Sequence, residues 1–102
     1  MTERRVTLAD PAGLHARQAA RVVRLASLYD ARLTIRHAKR AADAGSLLEL
    51  LALGVGPGTE ITLLAEGPDA DVALAALALD LTSRPGEAGA ESGAAPSSAR
   101  DR

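Results

Sequence analysis

Val6 and Leu8 alternate with Arg5 and Thr7, the period of two that a half-buried strand requires. Asp10-Pro11-Ala12-Gly13 then breaks the pattern with turn chemistry. From Ala16 the apolar positions become Ala16, Ala19, Ala20, Val23 and Ala26, with Val22 and Leu25 flanking them. That spacing predicts a helix ending near Tyr29-Asp30. Leu33 and Ile35 alternate with Arg32, Thr34 and Arg36 as a second strand, and His37 falls in phase at its end as a partly covered edge residue. A third strand near Arg40–Asp43 follows a poor hairpin turn, Ala38-Lys39. Ser46 to Leu53 reads as a short helix stopped by Gly54. Pro57-Gly58 turns the chain into a last strand in which Ile61 and Leu63 alternate with Glu60 and Thr62. Gly67-Pro68-Asp69 opens a final helix to Leu81, with Asp69 as its expected N-cap.

The order β-α-β-β-α-β-α predicts a two-layer α+β domain, a sheet covered on one face by helices. Its core must be aliphatic: Leu, Ile and Val total 23, all between Val6 and Leu81, and Phe and Trp are absent. Of the last twenty residues, fourteen are Gly, Pro, Ala or Ser and none is Leu, Ile or Val. The expectation is therefore a folded domain over residues 1–82 and a disordered tail over 83–102. No Cys is present, which excludes disulfides, thiolate nucleophiles and zinc–thiolate sites. No run approaches a bilayer span, so no membrane insertion is expected and a cytoplasmic location fits.

Charge is lopsided. Residues 1–40 carry nine Lys/Arg and three acids, whereas residues 41–82 carry seven acids and no base. The basic half has almost no aromatic side chain to stack on a base, so nucleic acid is not an expected partner; an acidic protein surface or a phosphate suits it better. Within it, His15 immediately precedes a helix with no acid before Asp30. A helix N-terminus offers free N–H groups and positive partial charge, here those of Ala16, Arg17 and Gln18, and Arg17 adds a guanidinium able to grip phosphate by two hydrogen bonds. An imidazole at such a cradle is a candidate nucleophile towards phosphorus. The competing local reading makes His15 an idle, exposed helix cap. No His/Asp/Glu cluster has metal-ligand spacing, and no metal or cofactor is expected. Gly54-Val55-Gly56-Pro57-Gly58 lacks the Lys-Ser/Thr ending of a nucleotide loop and reads as a turn.

Gly13-Leu14-His15-Ala16-Arg17 resembles the active-site signature of HPr, the histidine-containing phosphocarrier of the bacterial sugar phosphotransferase system. The likeness extends over residues 3–82, through Ser46 before a short helix, Leu53-Gly54, Gly58-Thr59 and Ala65-Glu66-Gly67. It implies an open-faced sandwich of a four-stranded antiparallel sheet and three helices. It also implies that His15 accepts phosphate on Nδ1 from phosphorylated Enzyme I and passes it to A components of sugar permeases, with Arg17 assisting. Such a protein is a carrier rather than an enzyme in its own right. By the same resemblance Ala20, Arg21, Arg24, Leu47, Leu48 and Leu51 belong to the face on which partners dock, with Leu50 and Leu53 turned inside. Gln18 departs from the family's proline, and Ser27 and Glu49 depart from its basic pattern. A regulatory branch (nitrogen control or a dihydroxyacetone kinase) and a non-phosphorylating interaction module are the alternatives.

In many family members the serine matching Ser46 is phosphorylated by a dedicated kinase. Here Ser46-Leu47-Leu48-Glu49 has capping-box spacing, and a cap is the expected role. The final helix carries one core stripe, Ala73, Leu74, Leu77, Ala78 and Leu81. A second stripe, Val72, Ala75, Ala76 and Leu79, is expected to stay partly exposed on a monomer.

Overall fold

The computed structural model describes residues 2–83. Its elements are β1 (Thr2–Thr7), α1 (Ala16–Ala26), β2 (Arg32–His37), β3 (Arg40–Asp43), α2 (Leu47–Leu53), β4 (Glu60–Glu66) and α3 (Ala70–Thr82), in the order the patterning predicts. Apart from Ser83, the expected tail lies outside the described residues.

Four strands pair antiparallel in the order β1-β4-β2-β3. The register sets Val6 opposite Ile61, Leu33 opposite Ala65, Ile35 opposite Leu63, and Ala42 opposite Ile35. Because strand side chains alternate between faces, these residues share one side of the sheet. They join Ala19, Val22, Leu50, Leu53, Leu74, Leu77 and Leu81 from the helices in one aliphatic core. Each fully buried Leu or Ile there contributes about 1.5–3 kcal/mol. On α3 the buried residues are Ala73, Leu74, Leu77, Ala78 and Leu81, while Val72 and Leu79 are 57% and 69% exposed. The two-stripe reading of that helix holds.

The β2–β3 hairpin forms despite its turn. A two-residue hairpin loop demands positive φ, and Ala38 supplies it at 56°. An L side chain pays about 1 kcal/mol in that region. Burial of Ala42 against Ile35 outweighs it. Replacing Ala38 by glycine should therefore stabilise the fold by about 0.5–1 kcal/mol, read as a higher urea midpoint at unchanged slope. A lower midpoint would count against the hairpin geometry.

Four local expectations need correction. Helix α1 stops at Ala26 rather than near Tyr29, because the Ser27 hydroxyl donates to the Arg24 carbonyl at 2.6 Å and Leu28 N–H bonds to the Leu25 carbonyl. His37 is partly covered, as expected, but it ends an interior strand, paired with Arg40, rather than lying on an edge strand. Asp69 holds the N-cap position of α3 without a capping bond; its Oδ2 accepts instead from Asp30 N–H at 2.7 Å, tying α3 to the loop before β2. At α2, Ser46 Oγ accepts from Glu49 N–H at 3.2 Å, but Glu49 does not return the bond. Its Oε1 accepts from Asp43 N–H at 2.9 Å, because Ser46 N–H is already bonded to the Asp43 carbonyl.

Candidate functional site

The loop joining β1 to α1 is held from several sides before His15 is reached. Leu8 N–H bonds to the Thr59 carbonyl, Ala9 N–H to the Leu81 carbonyl, and Leu14 N–H to the Val55 carbonyl at 3.0 Å. Within it, Asp10 Oδ1 accepts from Ala12 N–H at 2.8 Å and Gly13 N–H bonds back to the Asp10 carbonyl. Gly13 has φ +73° and runs against the Val55–Gly56 backbone. The Gly-rich segment after α2 is thus more than the turn its sequence suggests, since it forms the support under this loop.

His15 occupies the N-cap of α1 in extended conformation. Its Nδ1 accepts from Arg17 N–H at 3.2 Å, and its Nε2 lies 3.1 Å from Asp10 Oδ2. The ring is 28% exposed and the Asp10 side chain 8%. Capping and chemistry are therefore not exclusive. The nitrogen that caps is the one turned toward the helix N-terminus, where no acid stands in the first turn. Among the described residues, the N–H groups of Ala16 and Gln18 find no protein acceptor. They are the donors left for an anion.

In the sequence Asp10 reads only as part of a turn. The signal was an acid five residues before His15 across a Pro-Ala-Gly turn, which by itself does not fix the approach. The Ala12 N–H and then the His15 ring hold its carboxyl below the ordinary value of 3.8, burial opposing them weakly. A carboxyl depressed in the folded state stabilises the fold above its ordinary value and loses that contribution as pH falls through the folded value. The Ala12 amide resonance should accordingly report an Asp10 titration with its midpoint below that ordinary value. A midpoint at or above the ordinary value would contradict the pair of contacts.

Of the remaining predicted residues, Arg17, Arg21 and Arg24 are exposed on α1 and Ala20 is half-buried. Arg21 Nε pairs with Asp80 Oδ1 of α3 at 3.2 Å. On α2, Leu47, Leu48 and Leu51 are 42%, 80% and 39% exposed, while Leu50 and Leu53 are buried, as expected. Arg40 caps the far end of α2 by donating to the Ala52 carbonyl at 2.8 Å. The Gln18 side chain is fully buried, and neither its amide nitrogen nor its oxygen has a partner. Its backbone N–H is one of the free donors at the start of α1; its side chain is buried with the core.

Residues 2–82 match the family described as the PTS HPr component phosphorylation site. The chain is 49% identical over 75 residues to phosphocarrier protein NPr of Shewanella violacea, covering 74% of this chain and 82% of that protein. It is 43% identical over 65 residues to the phosphoryl donor subunit DhaM of the PEP-dependent dihydroxyacetone kinase of Providencia stuartii, covering 64% of this chain and 14% of that longer protein. The crystal structure of a phosphocarrier protein HPr from Bacillus anthracis str. Ames superposes with a TM-score of 0.76 at 35% identity, covering 78% of this chain and 95% of that one. Fold, signature and relatives agree: the chain belongs to the HPr family of phosphocarriers of the phosphotransferase system.

Proposed function

We propose that His15 Nδ1 accepts a phosphoryl group from phosphorylated Enzyme I and passes it to A components of sugar permeases. The observation that carries this reading is the position of Nδ1 at the N-terminus of α1, 3.2 Å from Arg17 N–H. In the transfer, the donor's N–P bond breaks and its ring nitrogen leaves with the electron pair, while the Nδ1 lone pair forms the new bond to phosphorus. Arg17 N–H then loses its acceptor on Nδ1, and the arriving phosphate oxygens replace it. The Ala16 and Gln18 N–H groups, the helix dipole and the Arg17 guanidinium face the added negative charge. The protein ends each cycle unchanged as a transient phosphohistidine carrier working in the cytoplasm.

Docking falls to the exposed apolar and basic surface of α1 and α2: Ala20, Arg21, Arg24, Leu47, Leu48 and Leu51. Ser46 serves as the cap of α2. A phosphate on its oxygen would displace the bond from Glu49 N–H and meet the carboxylates of Asp43 and Glu49, with no base between residues 41 and 82 to offset them.

With Enzyme I and phosphoenolpyruvate, the wild type should gain one acid-labile, alkali-stable phosphoryl group that His15→Ala cannot accept. Failure of the wild type to take up phosphate from several Enzyme I proteins would overturn the reading. The likeness to a dihydroxyacetone kinase donor subunit supports a second destination, the regulatory branch. Offering the phosphorylated carrier a permease A component and a dihydroxyacetone kinase system in parallel separates the two by which one drains the phosphate.

A further inference from the structure

Asp10 is fixed on both carboxylate oxygens. Ala12 N–H donates to Oδ1 at 2.8 Å, and Oδ2 stands 3.1 Å from His15 Nε2. The residue is 6% exposed and its loop is anchored to the turn before β4, to α3 and to the segment after α2, so the carboxylate cannot turn away without breaking a bond. On the other side of the ring, Nδ1 accepts from a backbone N–H and therefore carries no proton. The neutral ring's single proton is on Nε2, where Oδ2 accepts it. Two independent contacts thus select one tautomer.

We propose that Asp10 is a positioning residue and counter-charge for His15: it holds the ring proton on Nε2, leaves the Nδ1 lone pair free for phosphorus, and offsets the positive charge the ring gains when the bond forms. This rests on the reading of His15 as the acceptor. When Nδ1 gives its lone pair to phosphorus, the ring carries the phosphoryl group on one nitrogen and the proton on the other. That ring is cationic until the Nε2 proton leaves. The donor nitrogen takes back the electron pair of its broken N–P bond, so no oxidant or further acid is consumed. A fixed carboxylate against Nε2–H stabilises this cation as it does an imidazolium in an Asp–His pair. The other charges near the pair are Arg17 on α1, Arg21 on α1, which acts on Asp10 through space, and Asp80 on α3, which is paired with Arg21.

The consequence is an equilibrium one: the carboxylate draws phosphate onto this carrier. Asp10→Asn keeps an oxygen for Ala12 N–H and the size of the side chain, but loses the charge. Isotope-labelled wild type and Asp10→Asn, mixed in equal amounts with catalytic Enzyme I and limiting phosphoenolpyruvate, should share the phosphoryl group unequally. The wild type should hold roughly one and a half to five times more, the scale of one partly exposed ion pair. In the unphosphorylated proteins, the downfield Nε2–H resonance of His15 should be present in the wild type and lost in both Asp10→Asn and Asp10→Ala. Phosphorylation of His15 with equal sharing, or an unchanged Nε2–H resonance in both variants, overturns the role of Asp10 alone. A wild type that takes no phosphate on His15 overturns the carrier reading and this role with it.

Discussion

Replacing Gly13 with alanine should lower stability by about 3 kcal/mol or more and displace His15, whereas the same change at Gly58 should cost only about 1 kcal/mol. Both glycines have positive φ, +73° and +74°, so the conformational penalty is shared. Their surroundings differ. A Cβ on Gly13 would stand 2.6 Å from the Val55 carbonyl oxygen and 2.9 Å from the Gly56 backbone, none of it a flexible side-chain end. Around Gly58 there is nothing within 4 Å. Relief at Gly13 requires the loop to lift from its support, and the Leu14 N–H bond to the same Val55 carbonyl goes with it. Thermal unfolding should show a fall in Tm on the order of 15 °C for Gly13→Ala and about a third of that for Gly58→Ala. Phosphoryl acceptance should fall only in the first. Equal losses from the two variants would mean that backbone conformation, and not the close approach, sets the cost.

Gln18→Met should move stability the other way, upward by about 1–2 kcal/mol. A buried amide whose polar atoms are unpaired forfeits its hydration without return, at about 1–3 kcal/mol for each unsatisfied group. Methionine has nearly the same length and volume and leaves nothing unsatisfied. The backbone N–H of the residue, the part that faces an anion, is untouched, so phosphoryl acceptance should be retained. Gln18→Ala is the control: it removes the amide but opens a cavity, and should gain little or lose stability. Urea titrations of the three proteins decide the matter. A methionine variant less stable than the wild type would show that the amide makes a bond essential to the fold.

Gln18 also shows how a residue's burial can escape the sequence. The apolar stripe read from the sequence, Ala16, Ala19, Ala20, Val23 and Ala26, leaves Gln18 off the core face, whereas the buried face of α1 is Gln18, Ala19 and Val22. The polarity of Gln18 and its place beside Arg17 also point away from the core. Tertiary packing settles it: Gln18 and Val22 are fully buried, and Ala16 is exposed.

What the sequence by itself determined were the properties carried by local period and local chemistry. Alternation in β1, β2 and β4, the existence of the helices, Gly54 as the left-handed end of α2, and an imidazole at the start of an acid-free helix all lie within a few residues of one another. So did the core stripe of α3, because one helix packed on one sheet buries one face. What only the tertiary structure decided were choices among partners far apart in sequence or equal in local appeal. The Asp69 carboxylate accepts from Asp30 N–H rather than from its own helix, and the Glu49 carboxylate from Asp43 N–H rather than from Ser46 N–H. The Gly54–Gly58 segment becomes a support only because Gly13 and Leu14 arrive on it. Asp10 meets His15 for the same reason: that loop is pinned to the turn before β4, to α3 and to the chain after α2, and hydrogen bonds between distant backbones aim the carboxylate at the ring. Periodicity reports which face a side chain takes. Long-range packing alone fixes which group it faces, and the chemistry at Nδ1 depends on the second.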